Sequence, residues 1–431
     1  MPSKHIELDH QYSVQCFPKR QDIVITGSNG SKLIDDSGNE YLDLFSGISV
    51  NNVGNNHPDV VKAIKHQVDR YMHVSNYYFN DVSPKLAEKM AHITPNNLTR
   101  TYFSNSGTEA VDGAVKLAKK HSSINNKSGH LLFSLEGSFH GRLSLTLGLT
   151  GQKKYRKLFD NYVYPGIIYG PAPYFYRDTE NLDEIDFGKK CAENLDKLMS
   201  ECNEGDISAL IIEPIFGEGG IIVPPDNYIP LLQRICRSHD VLLIIDEVQT
   251  GIARTGKMFC CEHWNVTPDI MTFAKGIGGG LPIGGFITSD EIASSFEEGD
   301  HFSTFGSNPV SCASSLAVID VVEKNNLSER SEKLGNHVIR RLNELSQKHS
   351  LIGDIRGKGL MIGIELVTDT VSKNPASQEA LLLKNKMLSN GFLIGLGGIF
   401  GNVLRFQPPL TISMDDLDFA LDSFGNLLDG L

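Results

Sequence analysis

Five short apolar runs, set among stretches with helical spacing, constrain this chain more than any other feature. They are "LLFSL" from Leu131, "ALIIEPI" from Ala209, "VLLIID" from Val241, "IMTFA" from Ile270 and "GGFIT" from Gly284. Between several of them lie segments such as "EAVDGAVKLAKKH" from Glu109 and "YIPLLQRICRSH" from Tyr228, whose apolar residues recur every three or four positions. Strands this uniformly apolar need cover on both faces. The pattern therefore predicts an α/β fold with a mainly parallel sheet flanked by helices. In such sheets ligands bind beyond the carboxyl ends of the strands. Asp246 and Lys275 each follow such an end, so both are expected to face one crevice.

After about Pro309 the pattern changes. Helical stretches (Cys312 to Glu323, Leu327 to His349, Gln378 to Ser389) surround short strands at "MIGIELV" and "VLRFQPP", which reads as a smaller α+β domain. The first fifty or so residues read as a hairpin pair and a turn. The expected division is an N-terminal segment, 1–56, packing with the small domain; a large domain, 57–310; and a C-terminal small domain, 311–431. With 40 basic and 52 acidic residues the net charge is -12 and there is no dense Lys/Arg block, which argues against nucleic acid as a partner. No signal-like N-terminus and no run near the roughly 18 apolar residues of a membrane span is present, so a cytoplasmic protein is expected. Seven scattered cysteines without a C-x-x-C pair argue against a disulfide framework and against a metal site.

"VLLIIDEVQTGIARTGKM" invites a nucleotide reading, because an apolar strand ends in an acid and Gly251-x-x-x-x-Gly256-Lys257 follows. Two faults exclude it. A phosphate loop needs Ser or Thr after the lysine, where this chain has Met258, and it needs its own preceding strand, whereas this one already ends in Asp246. The glycines after Lys275 fail as a dinucleotide fingerprint too: after Gly276 and Gly278 the third position is Leu281.

Asp246 therefore needs another partner. "SNSGTEA" from Ser104 opens a helix, and the Ser106–Gly107–Thr108 start suits a phosphate, although an ordinary capped helix would read the same. "GSFHGR" puts Phe139 and His140 at a strand end, where the ring either packs or stacks on a flat cofactor. Lys275 after a buried strand is a candidate nucleophilic amine. A phosphate cradle, a ring, a strand-end acid and a strand-end lysine together fit pyridoxal phosphate. The lysine would form the Schiff base, and the acid would keep the pyridine nitrogen protonated.

The sequence resembles the class III, fold-type I pyridoxal phosphate-dependent aminotransferases, the ω-aminotransferase group, from about Phe17 to Leu428. The resemblance rests on "IIDEVQTGIARTGKM", "PDIMTFAKGIGGGLPIG", "SNSGTEA", "FHGR", "IIEPIFGEGG", "STFGSNP", "IRGKGLMIGIEL" and "LRFQPPL". It implies a large cofactor-binding domain plus a small α+β domain. Lys275 would be the Schiff-base lysine and proton carrier, Asp246 the pyridinium partner, and Gln249 a neighbour of the phenolic oxygen. Ser106, Gly107 and Thr108 would hold the phosphate, with Thr304 reaching it from a second subunit. Phe139 would stack on the ring, with His140 and Glu213 nearby. Arg405 would grip a substrate carboxylate, Glu218 would neutralise Arg405 when the substrate lacks one, and Arg142 and Ile48 would line the substrate side. A homodimer with shared active sites is implied, or a tetramer built on it.

The expected substrates are an ω-amino acid or related amine and a 2-oxo acid such as pyruvate, glyoxylate or 2-oxoglutarate, used by a ping-pong mechanism. The same motifs also serve racemases, epimerases and phospho-lyases. Ornithine-specific members carry tyrosine where this chain has Gly47, Leu143 replaces the usual threonine, and Ser307 stands where glycine is common. Relatives acting on 4-aminobutyrate use the arginine at the Arg142 position for the distal carboxylate. The C-terminal half is most similar to alanine–glyoxylate and related ω-aminotransferases.

Overall fold

The computed structural model describes residues 3–18, 20–178 and 181–430. Its centre is a seven-stranded sheet. In spatial order the strands are Arg100–Ser104, Gly284–Thr288, Ile270–Phe273, Leu242–Asp246, Ile207–Ile212, Leu131–Leu135 and Ile167–Gly170. All pairs are parallel except those of Gly284–Thr288, which runs against both of its neighbours. Apolar alternation carries no direction, so this reversal was not legible in the sequence. The edge strand Ile167–Gly170 was missed as well. It is four residues long and bounded by Gly166 and Pro171, which leaves too little pattern to read.

Ile207–Ile212 is buried at every position because both faces are covered. Ala209 and Ile211 pack with Val111, Ala114, Val115 and Ala118 of the helix Gly107–Ile124, while Leu210 and Ile212 join the larger core on the other face. The two-residue period of a strand thus feeds two separate cores. Small residues on the helix face let it approach the sheet closely, which sets its N-terminus beside the strand ends.

Two smaller sheets flank this body. Ile352–Lys358, Met361–Leu366, Val403–Phe406 and Gly395–Gly397 form an antiparallel sheet in which Arg405 pairs with Gly363 on one side and Gly395 on the other. Gly395 leaves room for the Phe45 ring, over which the Arg405 guanidinium lies. The other sheet joins Ile25–Asn29, Lys32–Asp35 and Glu40–Asp43 to Phe392–Leu393, the last pair being parallel. An N-terminal helix, Lys4–Tyr12, was not expected, and it buries no residue. Among the described residues no helix is long and apolar enough to cross a membrane.

Candidate active site

The parallel strands end together, and their ends open into a cavity of about 710 Å³. Ser106, Gly107, Thr108, Phe139, His140, Arg142, Glu213, Asp246, Gln249 and Lys275 all line it. Residues that the sequence places up to about 170 positions apart converge because each follows the carboxyl end of its own strand.

On one wall stands the start of the helix Gly107–Ile124. Ser106 Oγ accepts from Glu109 N at 3.2 Å, so the serine is a true N-cap as well as a cavity residue. The capped-helix reading of this motif therefore holds, and the same turn lines the cavity. The first-turn amides of Gly107 and Thr108 have no backbone partner, as expected at a helix start, and suit an anion. A Cβ on Gly107 would stand 2.7 Å from Val248 Cγ1, so only glycine lets this turn lie against the loop after Asp246.

At the base, the register pairs Asp246 with Thr272, putting both side chains on one face. Thr272 Oγ1 and Val248 N each donate to Asp246 Oδ1 at 3.1 Å. His140 Nδ1 lies 2.7 Å from Asp246 Oδ2, and both side chains are buried. A carboxylate only accepts, so Nδ1 carries the proton. Among the described residues His140 Nε2 is buried with no hydrogen-bond partner. His140 thus holds Asp246 from behind.

Glu213 ties two strand-end loops together. Its Oε1 accepts from Phe139 N at 2.8 Å and its Oε2 from Gly217 N at 2.9 Å. Burial pushes its pKa up to about 7; the Asp246 charge adds to the rise, while His140 and the two backbone donors oppose it. Gln407 Nε2 donates to Gln249 Oε1 at 3.2 Å and to Ser49 Oγ at 3.0 Å. Gln249 is thereby held by its oxygen, which leaves its NH2 as a donor for an anionic oxygen.

Lys275 adopts φ 46, in the left-handed region, directly after the last strand residues. Gly276 is pressed against Asn52, whose Nδ2 would be 2.5 Å from a Cβ there. Asn52 is in turn clamped by the fully buried Arg254, whose Nη2 donates to its Oδ1 at 2.6 Å. Burial lowers the Lys275 pKa, opposed by the charges of Glu218, Asp246 and Glu213. The amine is thus easier to deprotonate than an exposed lysine.

Beside the cavity Arg405 Nη1 donates to Glu218 Oε1 at 2.5 Å, and the guanidinium stacks 5.0 Å from the Phe45 ring centroid. Desolvation raises the Glu218 pKa, but the Arg405 charge and hydrogen bond more than offset it, so the net shift is downward. Arg142 is exposed at the mouth, 4.5 Å from the Tyr155 ring centroid and 5.4 Å from that of Phe139. Neither Arg405 nor Glu218 lines the cavity itself, and two further expected residues also lie outside it. Thr304 is exposed and does not line the cavity of its own chain, and Ile48, at φ 68 in the turn Ser46–Ser49, does not line it either. Thr272, Gln407, Asn52 and Arg254 were given no role from the sequence. Their partners lie across strands or loops, and no local pattern marks them.

Glu247, the second acid of the opening motif, points away from the cavity into the core. Its Oε1 accepts from Cys261 N at 2.8 Å, its other oxygen bonds the Thr250 hydroxyl, and burial raises its pKa from 4.5 to about 7. Because the folded pKa is the higher one, the unfolded chain loses its proton first, and stability falls as pH rises from about 4.5 to 7. Above pH 7 the full deficit is roughly 3 kcal/mol. Glu247→Gln should remove this component. The stability of the variant relative to wild type, from urea unfolding at pH 5 to 8, should increase with pH and flatten above 7; a constant difference would refute it.

The donor set matches what pyridoxal phosphate requires. There is a helix-start amide pair for its phosphate, an acid that a histidine and two donors keep in place for its ring nitrogen, an amide donor for its phenolic oxygen, and a lysine of lowered pKa. Comparison with known proteins agrees. The family model for class-III aminotransferases matches residues 16–428. An acetylornithine aminotransferase of Methanothermobacter thermautotrophicus is 39% identical over 426 residues, covering 99% of this chain and 98% of that protein. A leucine/methionine racemase of Thermococcus litoralis is 39% identical, covering 96% and 94%. The crystal structure of a Bacillus anthracis aminotransferase superposes with a TM-score of 0.94 at 30% identity, covering 99% and 98%. With the family model spanning nearly the whole chain and the strand-end site in place, this protein belongs to the class-III aminotransferases, fold-type I transaminases that use pyridoxal phosphate to move an amino group from a donor to a 2-oxo acid.

Proposed function

We propose that the amino donor is an ω-amino acid or related amine, that the acceptor is a small 2-oxo acid such as pyruvate, glyoxylate or 2-oxoglutarate, and that both use one site in ping-pong order. The Glu218–Arg405 pair carries this reading. A 2-oxo acid has a carboxylate next to the reacting carbon, and Arg405 is the cation to bind it. An ω-amino donor has none there. An unpaired Arg405 would draw such a donor in by the wrong end, so Glu218 neutralises it in that half and swings aside in the other.

The remaining roles belong to the same proposal and rest on the family resemblance, with the geometry in support. Bound pyridoxal phosphate supplies an electron sink for charge developing at the substrate carbon. Lys275 acts as the nucleophilic amine and moves the proton at that carbon. Asp246, held by His140, Thr272 and Val248, keeps a proton on the ring nitrogen. Gln249 would donate to the phenolic oxygen, Phe139 would stack on the ring, Glu213 fixes the loop that carries Phe139, and Ser106, Gly107 and Thr108 would bind the phosphate. Arg142 at the mouth serves the distal end of the substrate. The division of the chain at 56 and 310 belongs to the same reading, and the three separate sheets support it.

A homodimer completes the site. Tyr77, Tyr78, Phe79, Phe302 and Phe305 are exposed large rings on two segments joined by the Asn76 Nδ2 to Ser303 O bond of 2.8 Å. Such a patch marks an interface, and Thr304 lies within it. A monomer in sedimentation equilibrium would remove this part.

In single-turnover measurements of the two halves, Glu218→Ala should speed reaction with α-amino acids and slow it with ω-amino donors. Arg405→Ala should cost the 2-oxo acid half roughly tenfold or more, the usual loss for a charged hydrogen bond. Equal losses in both halves would sink the switch. The racemase-like relative favours one alternative, in which a single amino-acid enantiomer is racemised with no acceptor present. An enzyme that takes only α-amino acids would have no use for Glu218 on Arg405, and polarimetry without a 2-oxo acid separates the two.

A further inference from the structure

When a substrate carboxylate takes Arg405, the partly buried Glu218 loses its partner, and a carboxylate in this setting is costly without a cation. The cations whose charges act on Glu218 are Arg405, Lys275 and Lys154. Lys275 is committed to the chemistry, which leaves Lys154. It lies on the short helix Lys153–Arg156, next to Tyr155, which packs edge-on against Phe139 of the cleft, and among the described residues it has no carboxylate partner. Its Nζ donates to the Gly398 carbonyl at 3.1 Å and sits 5.1 Å from the Tyr155 ring centroid.

Two close approaches bring this amine and the ion pair into one neighbourhood. A Cβ on Gly397 would lie 3.0 Å from Arg405 Nε, and a Cβ on Gly220 would lie 3.1 Å from Gly398 Cα. The Gly397–Gly398 backbone is therefore the shelf between Arg405 and Lys154, and the loop bearing Glu218 rests on it. Glu218 sits in a packed loop, where a Cβ on Gly219 would meet Gly137 O at 2.9 Å, so its carboxylate changes seat by side-chain rotation. Two other cations lie nearby: Arg356, which bonds the Gly220 carbonyl, is already paired with Asp354 and Glu365, and Arg142 lies against the rings of Tyr155 and Phe139 at the mouth.

We propose that Lys154 is the second seat of the Glu218 carboxylate: Glu218 bonds Arg405 while an ω-amino donor is bound, and moves to Lys154 Nζ when a 2-oxo acid occupies Arg405. Lys154 is then a positioning residue that sets the balance between the two substrate classes. It touches neither substrate. This rests on the Glu218–Arg405 switch proposed above.

The test uses the holoenzyme, with glutarate, a dicarboxylate that cannot react, as the calorimetric probe of Arg405, and single-turnover rates for each half. In Lys154→Met, glutarate affinity and the 2-oxo acid half should both fall about tenfold relative to the ω-amino half. Lys154→Arg should restore most of the loss. In a Glu218→Ala background, Lys154→Met should have no further effect, because there is no carboxylate left to seat. An effect that persists in that background, a loss shared equally by both halves, or no loss at all overturns the role of Lys154. If Glu218→Ala by itself produces no asymmetry between the halves, it is the switch that fails, and the single variants tell these failures apart.

Discussion

Replacing Lys275 with alanine is expected to lower turnover by at least about 10⁴-fold, the upper end of what one positioned acid–base group contributes, because the proposed function makes this residue both nucleophile and proton carrier. The fold should survive. The left-handed φ of 46 at this position strains lysine and alanine alike, so the change adds little backbone cost. Thermal unfolding of the apo forms should therefore differ little. Covalent attachment is the sharper readout. Borohydride treatment of the wild type should fix the cofactor to Lys275, recovered by peptide mapping, whereas the variant should lose it on denaturation and gel filtration. A label on another lysine would remove Lys275 from its role. Gly276→Ala should differ in kind, since a Cβ there meets Asn52 Nδ2 at 2.5 Å and disturbs the Asn52–Arg254 clamp.

The second large effect belongs to Asp246→Asn. An acid about 4 Å from a protonated ring nitrogen, at an effective dielectric near 20, is worth roughly 4 kcal/mol, or about 3 pKa units. Its loss should slow proton removal from the substrate by about 10³-fold. The surroundings accept the amide. Val248 N and Thr272 Oγ1 both donate to Oδ1, so the asparagine oxygen must stay there and its NH2 must face His140 Nδ1. The imidazole then shifts its proton to Nε2, which among the described residues has no partner to lose. Cofactor retention and folding should remain close to wild type, and a half-reaction rate also near wild type would show Asp246 to be structural.

How much of this was legible can be judged from particular residues. The apolar runs gave the central strands, because a strand covered on both faces must be apolar throughout, as Ile207–Ile212 is. Asp246 and Lys275 followed from their positions just beyond two of those runs, and the family resemblance supplied their roles. The reversed direction of Gly284–Thr288 and the short edge strand Ile167–Gly170 did not follow, because apolarity reports burial and not direction, and four residues hold too little pattern.

By itself, then, the sequence determined the fold class, the strand-end lysine and acid, a helix start suited to an anion and, through the family resemblance, the cofactor. These features depend on local composition and on the rule that ligands gather at strand ends. Only the tertiary structure decided which groups hold them in place. That His140 and Thr272 brace Asp246, that Gln407 turns the Gln249 amide, that Arg254 clamps Asn52 behind Gly276, and that Lys154 shares a shelf with Arg405 are matters of register and loop packing. The partners are 26 positions apart for Thr272 and Asp246 and 158 for Gln407 and Gln249, and no periodicity links residues that meet only after the sheets have assembled.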